Sequence, residues 1–212
     1  MSRREVHTGC ALQWLREHPL PAGAGIVTSL PNFDEFSNRD VDRWRSWFVD
    51  AAELVLRSTP DASACVFFQT DVKHDGVWID KSFLVQVAAE RAGVALVWHK
   101  VALRAPVGTT TNLRPAFAHL LCFSRELRHT RENATADVLA RLGDQDWPRA
   151  MGRDVADVAV RWLRDHARAD TIVAPFCGTG TALDAANALD LAAIGIERNP
   201  GRAHRASHDQ PR

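Results

Sequence analysis

The chain has 212 residues, 46% hydrophobic and 25% charged, with 26 basic and 26 acidic side chains and zero net charge. That is ordinary for a soluble globular protein of one large or two small domains, and it excludes attraction to polyanions by bulk charge. No apolar stretch approaches the roughly 18 residues that span a bilayer, and the N-terminus carries no apolar signal segment, so a cytoplasmic protein without a membrane partner is expected.

In chain order, Ala11 to Leu20 reads as a short helix and Gly25 to Thr28 as a buried strand. Val41 to Thr59 places Trp44, Trp47, Phe48, Ala51 and Leu54 on one helical face. Ala64 to Gln69 reads as a strand, Ser82 to Gly93 as a helix and Val94 to Leu103 as a strand. A polar loop with three threonines leads to the strand Ala116 to Ser124. No helix separates the last two strands, which predicts an antiparallel edge pair. Residues 125–149 read as charged and irregular, Val155 to Ala167 as a helix, and 201–212 as a frayed polar tail. Alternating strands and helices predict a single α/β domain over 1–212, built on a parallel sheet.

Cys10, Cys65, Cys122 and Cys177 are widely spaced with no Cys-x-x-Cys pair, so they read as reduced thiols, and no metal is expected. Charge is uneven along the chain. Residues 98–132 carry six basic against two acidic side chains, and residues 30–63 carry seven acids against four arginines.

The C-terminal third holds the most informative unit. Thr171 to Ala174 is a short β-branched run, followed by Pro175-Phe176-Cys177-Gly178-Thr179-Gly180-Thr181 and a helix through Leu183, Ala186 and Leu189. Gly178 and Gly180 allow a sharp turn and close approach to a ligand, and Thr181 can cap the helix. A second apolar strand, Ala192 to Ile196, ends at Glu197, whose carboxylate can accept from both ribose hydroxyls of an adenosine cofactor. The row Ala174 to Thr181 resembles the D-P-F-C-G-S-G-T loop of S-adenosylmethionine-dependent amino-methyltransferases acting on nucleic acids; Ala174 replaces the family's Asp.

A second motif lies near the N-terminus. Gly9-Cys-Ala-Leu-Gln-Trp-Leu, then Thr28-Ser29-Leu30-Pro31-Asn32-Phe33, resemble that family's G-D-A-L-x-W-L and V-T-S-P-P-Y segments. Cys10, Leu30 and Asn32 depart from the pattern. An exocyclic amine is a poor nucleophile because its lone pair is delocalised, so the Ser29 or Asn32 side chain and a backbone carbonyl can accept its hydrogens while Phe33 stacks on the base; the resemblance places Pro31 in the same catalytic turn.

The turn precedes the cofactor loop. The resemblance therefore implies a Rossmann-like, seven-stranded methyltransferase sheet, circularly permuted, with helices on both faces. It implies S-adenosyl-L-methionine held by Thr28, Met151, Gly152, Pro175, Phe176, Cys177, Gly178, Gly180, Thr181 and Glu197, with the helix after Met151-Gly152 receiving the methionine carboxylate.

Substrate contacts are expected between these ends. Lys73 and Lys81 lie in the Thr70–Lys81 loop, and two of only three lysines there suggest phosphate contacts; a solvated loop fits equally well. Arg114 and His119 can bind phosphate or a base edge, although a histidine in an apolar strand more often has a structural partner. The expected activity is methylation of a nucleobase nitrogen in RNA, tRNA or rRNA, because no long insertion is present to read a DNA target. Alternatives are a DNA N4-cytosine or N6-adenine methyltransferase, a non-catalytic cofactor-binding subunit of a methyltransferase complex, and a small-molecule methyltransferase.

Overall fold

The structure is a computed structural model that describes residues 4–36, 40–112, 114–147 and 150–208. Its strands are β1 (Arg4–Thr8), β2 (Ala24–Thr28), β3 (Cys65–Gln69), β4 (Val72–His74), β5 (Val77–Ile79), β6 (Ala95–Leu103), β7 (Phe117–Ser124), β8 (Val138–Leu139), β9 (Thr171–Pro175) and β10 (Ala192–Glu197). The helices are α1 (Ala11–Glu17), α2 (Val41–Ser58), α3 (Lys81–Ala92), α4 (Arg153–His166), α5 (Thr181–Asn187) and α6 (Pro200–Ala206), with a 3-10 turn at Phe33–Glu35.

Eight strands form one sheet in the order β1-β10-β9-β2-β3-β7-β6-β8. Neighbours pair in parallel except where β7 runs antiparallel between β3 and β6. The α/β expectation and the antiparallel β6–β7 pair hold. The sheet has an eighth strand beyond the seven expected, because two residues of the irregular stretch pair with Val101 and Ala102.

Alternation along the central strands explains the two-faced core. Val27, Val66, Phe68, Ile172 and Ala174 pack on one face with Val155, Leu163 and Leu183. Ile26, Cys65, Phe67 and Val173 pack on the other with Trp44, Phe48 and Val85. Successive side chains of a strand point to opposite faces, and a parallel sheet covered by helices on both sides reads as a continuous apolar run.

Three segments differ from expectation. Arg4–Thr8 forms edge strand β1, which its polar sequence conceals; Arg4 reaches Asp184 at 2.7 Å and Asn187 Oδ1 at 2.7 Å. The tail expected to fray begins with helix α6, with Asn199 accepting from the Arg202 N–H, Pro200 in the first turn, and Ala203 and Ala206 buried. Residues 209–212 lie outside the described residues. Finally, the Thr70–Lys81 loop folds into the β4–β5 hairpin, whose turn residues Asp75 and Gly76 both take positive φ, the geometry that Asp-Gly favours.

Candidate functional site

β9 lies between β10 and β2, where the strand order changes direction, and open α/β sheets bind ligands beyond the carboxyl ends of strands at such a point. A cavity of about 1030 Å³ opens there. Both sequence motifs line it. Thr28 Oγ1 donates to the Pro175 carbonyl at 2.5 Å, so the ends of β2 and β9 are fastened to each other.

The turn after β9 passes through positive φ at three positions, two of them glycines that adopt it without strain. Phe176, Gly178 and Gly180 have φ of 60°, 58° and 98°. Only Phe176 carries a side chain there, and its ring meets Trp47 edge-on at 6.4 Å. The Cys177 N–H donates to Ile196 O and the Gly180 N–H to Cys177 O. Glu197 Oε2 accepts from the Gly178 N–H at 3.0 Å and Oε1 from the Asn199 N–H at 2.7 Å. The carboxylate is thereby fixed at the cavity wall, and each oxygen retains acceptor capacity. Burial pushes the Cys177 thiol up to about 12, with Glu197 adding to the effect, so it stays protonated.

Of the ten expected cofactor residues, Thr28, Met151, Phe176, Cys177, Gly178, Thr181 and Glu197 line the cavity, whereas Gly152, Pro175 and Gly180 do not. Gly180 supports from behind: a Cβ there would stand 3.1 Å from Ala206 Cα. Gly152 caps α4, but its reason for being glycine is packing, since a Cβ would sit 2.0 Å from the Leu142 carbonyl oxygen. Gly152→Ala is expected to destabilise the fold by about 2 kcal/mol or more through backbone displacement, read as a lower midpoint in thermal or urea unfolding.

Sequence reasoning misses part of the wall. Gln145, Trp147 and Thr179 line the cavity beside the loop. Thr179 Oγ1 donates to Asp146 at 3.2 Å, and Trp147 lies 4.4 Å from the Arg202 guanidinium. Trp47 and Phe36, with ring centroids 5.2 Å apart, supply an apolar side. Trp47 carries an amphipathic-helix signal only.

Ser29, Pro31 and Asn32 all face the cavity. Phe33 also lines it but is 6% exposed and packs against Trp44 and His74, which leaves little surface for the expected base stacking. Lys73 lines the rim, where its Nζ donates to the Thr111 and Asn112 carbonyls and lies 4.6 Å from the Trp78 ring centroid. Arg114 lines the rim as well.

Lys81 departs from expectation. It is 1% exposed, and its Nζ donates to Asn32 Oδ1 at 2.7 Å instead of pointing outward to a phosphate. Burial pulls its pKa down to about 7, against the opposing charges of Asp71, Glu35 and Asp34.

His119 is buried and partnered on both sides, 3.1 Å from Asp71 Oδ2 and 2.9 Å from His99 Nε2. Burial alone would raise the Asp71 pKa, but bonds from His119, Trp78 and the Lys81 N–H outweigh it and hold the carboxyl below its ordinary value. Asp71, Asp80 and His119 bring candidate ligand atoms within 4.8 Å of one another. Those groups are engaged in hydrogen bonds, with Asp80 capping α3 through the Phe83 N–H, and we assign no metal there.

The basic stretch 98–132 is partly spent internally. Lys100 is buried with its Nζ on the Thr135 and Ala136 carbonyls, and Arg125 bonds Thr59 O and Asp61. Arg104 and Arg114 line the cavity. Burial, reinforced by Arg114, holds the Arg104 pKa below its ordinary value.

No protein-family model matches the chain, and no curated protein sequence does so either. Solved structures do. TTHA0409 of Thermus thermophilus, assigned as a DNA modification methylase and solved with S-adenosyl-L-methionine, superposes with a TM-score of 0.73 at 19% identity, over 96% of this chain and 91% of its own. The cytosine-N4-specific PvuII DNA methyltransferase gives a TM-score of 0.76 at 15% identity, over 97% and 86%. M1.HpyAVI, in its S-adenosylmethionine complex, gives 0.64 at 14% identity, over 96% and 98%. The chain therefore has the Rossmann-like α/β fold of these proteins across nearly its whole length.

Proposed function

We propose that the chain is an S-adenosylmethionine-dependent methyltransferase that modifies a nucleobase nitrogen, with DNA as its polymer. The observation that carries this is the single cavity joining the Ser29–Asn32 turn to the Phe176–Thr181 loop and Glu197. Its volume is at the upper end for ligand pockets, enough for a nucleoside cofactor and a base together. In this reading Glu197 takes the ribose hydroxyls, the Gly178 loop and Phe176 hold the nucleoside, and Met151 at the start of α4 lies by the methionine end. Asn32 and Ser29 accept the hydrogens of the target amine.

The absence of a long reading insertion favours RNA on sequence grounds. That argument loses its weight, because the chain spans 91% and 86% of two structural neighbours named as DNA methylases. Those names support the DNA alternative. The strands that carry the cofactor loop come last in the chain yet sit mid-sheet, and we read that order as a circular permutation. Ala174 and Asn32 motivate a second reading, a non-catalytic cofactor-binding subunit.

The test is methyl transfer from labelled S-adenosylmethionine to unmodified DNA, tRNA and rRNA at several salt concentrations. It is paired with mass spectrometry of nucleosides from a strain lacking the gene. Loss of a methylated base from DNA is expected, with activity falling as salt rises. Loss confined to RNA overturns the choice of polymer. Cofactor binding with no transfer to any polynucleotide supports the subunit reading.

A further inference from the structure

Lys81 opens α3 directly after the hairpin and, although buried, lines the cavity. Three features set it apart from a structural lysine. Its hydrogen-bond partner is the amide oxygen of Asn32, a residue of the proposed acceptor turn, and no ion pair to it occurs among the described residues. Its Nζ lies 5.3 Å from the Phe48 ring centroid, an apolar neighbour on α2. Its backbone is fixed, because the Lys81 N–H donates to Asp71 Oδ1 at 2.9 Å while Asp80 caps the helix one residue earlier.

We propose that Lys81 accepts the proton shed by the target nitrogen during methyl transfer, an inference that rests on the function proposed above. The nitrogen lone pair forms the new N–CH3 bond as the S–CH3 bond breaks, and that electron pair stays on sulfur, leaving a neutral thioether. The methylated nitrogen then holds one proton and one positive charge in excess. The proton passes to the neutral Nζ of Lys81, which becomes an ammonium, and leaves to solvent through the cavity when product departs.

The surroundings suit both states. A burial-depressed pKa near 7 supplies the neutral amine at working pH. The ammonium, once formed, faces Asp71 from the end of β3 and Asp34 and Glu35 from the 3-10 turn. Asp71 is held by His119, with His99 behind it, and Arg202 lies 3.7 Å from Glu35.

The experiment is the pH profile of kcat/KM for the wild type, Lys81→Met and Lys81→Arg, with calorimetric cofactor binding as the control for folding. The wild type should lose activity below about pH 7. Lys81→Met should fall on the order of 100-fold, lose that acidic limb and still bind cofactor. Lys81→Arg keeps a donor for Asn32 but cannot give up its proton, so it should fall as far. Methylamine should restore Lys81→Ala in proportion to the neutral amine present.

An active Lys81→Arg, or variants that keep the acidic limb and ignore methylamine, overturn the proposal. A second readout is independent of turnover. The chain has three lysines, so labelled lysine gives three NMR titrations. A Lys81 midpoint near that of an exposed lysine overturns this inference by itself. A wild-type protein that methylates nothing, with Lys81 titrating near neutrality, counts against the function reading instead.

Discussion

Gly178→Val is expected to lower S-adenosylmethionine affinity on the order of 100-fold or more while leaving the protein folded. Gly178 has φ of 58°, in the left-handed region, where a β-branched residue is strained by about 1–2 kcal/mol. A Cβ at this position meets no heavy atom within 4 Å, so the branch point has space in the fold, at a residue that itself lines the cavity. The Gly178 N–H also fixes Glu197, so a twisted turn misaims the carboxylate as well. Gly180→Val differs: with φ of 98° and Ala206 directly behind, it should loosen α6 and lower the unfolding midpoint as well. Calorimetry and thermal unfolding on the pair separate ligand contact from support. Unchanged affinity in Gly178→Val removes the loop from the cofactor site.

How much of this is legible in the sequence depends on whether a residue acts through its neighbours in the chain. The central strands are readable because both faces are apolar, and the glycine turn because its backbone geometry demands glycine. Edge strand β1 is not, since an edge half in solvent keeps polar side chains. Asn199-Pro200 signals the start of α6, but the polar composition that follows masks the helix; two buried alanines are all its packing face needs. Lys81 shows the sharper limit. A lysine after an Asp in a polar loop reads equally as a phosphate contact or as a solvated side chain, outward in either case. Its side chain is buried and its Nζ points inward, onto Asn32 in a turn 49 residues earlier in the chain. Composition carries no trace of such a long-range contact. The same holds for His119, whose two partners come from separate strands and loops.

Asn32→Ala should cut kcat by about 100-fold or more with cofactor affinity retained, the scale on which a preorganised polar group aimed at developing charge contributes. The same substitution acts on Lys81, and its sign follows from the bond between them. Asn32 Oδ1 accepts from Nζ at 2.7 Å, a bond that favours the ammonium. Its removal leaves a buried cation with less to hold it, so the Lys81 pKa falls further below about 7 and the acidic limb of any residual activity moves to lower pH. Asn32→Asp does the reverse, because a carboxylate beside Nζ stabilises the ammonium and moves the limb upward.

Stability follows by linkage. Lys81 has a folded pKa of about 7 against an ordinary value of 10.5, so between those limits the unfolded chain binds a proton that the folded one lacks. Wild-type stability therefore gains from this group as pH rises from about 7 to 10.5, and carries the full penalty of the buried charge below that window. Asn32→Ala should extend the window downward, and Lys81→Met should abolish this contribution. Urea midpoints measured from about pH 6 to 9 on the three proteins check it: a wild type whose stability relative to Lys81→Met stays flat across that range would refute the burial argument.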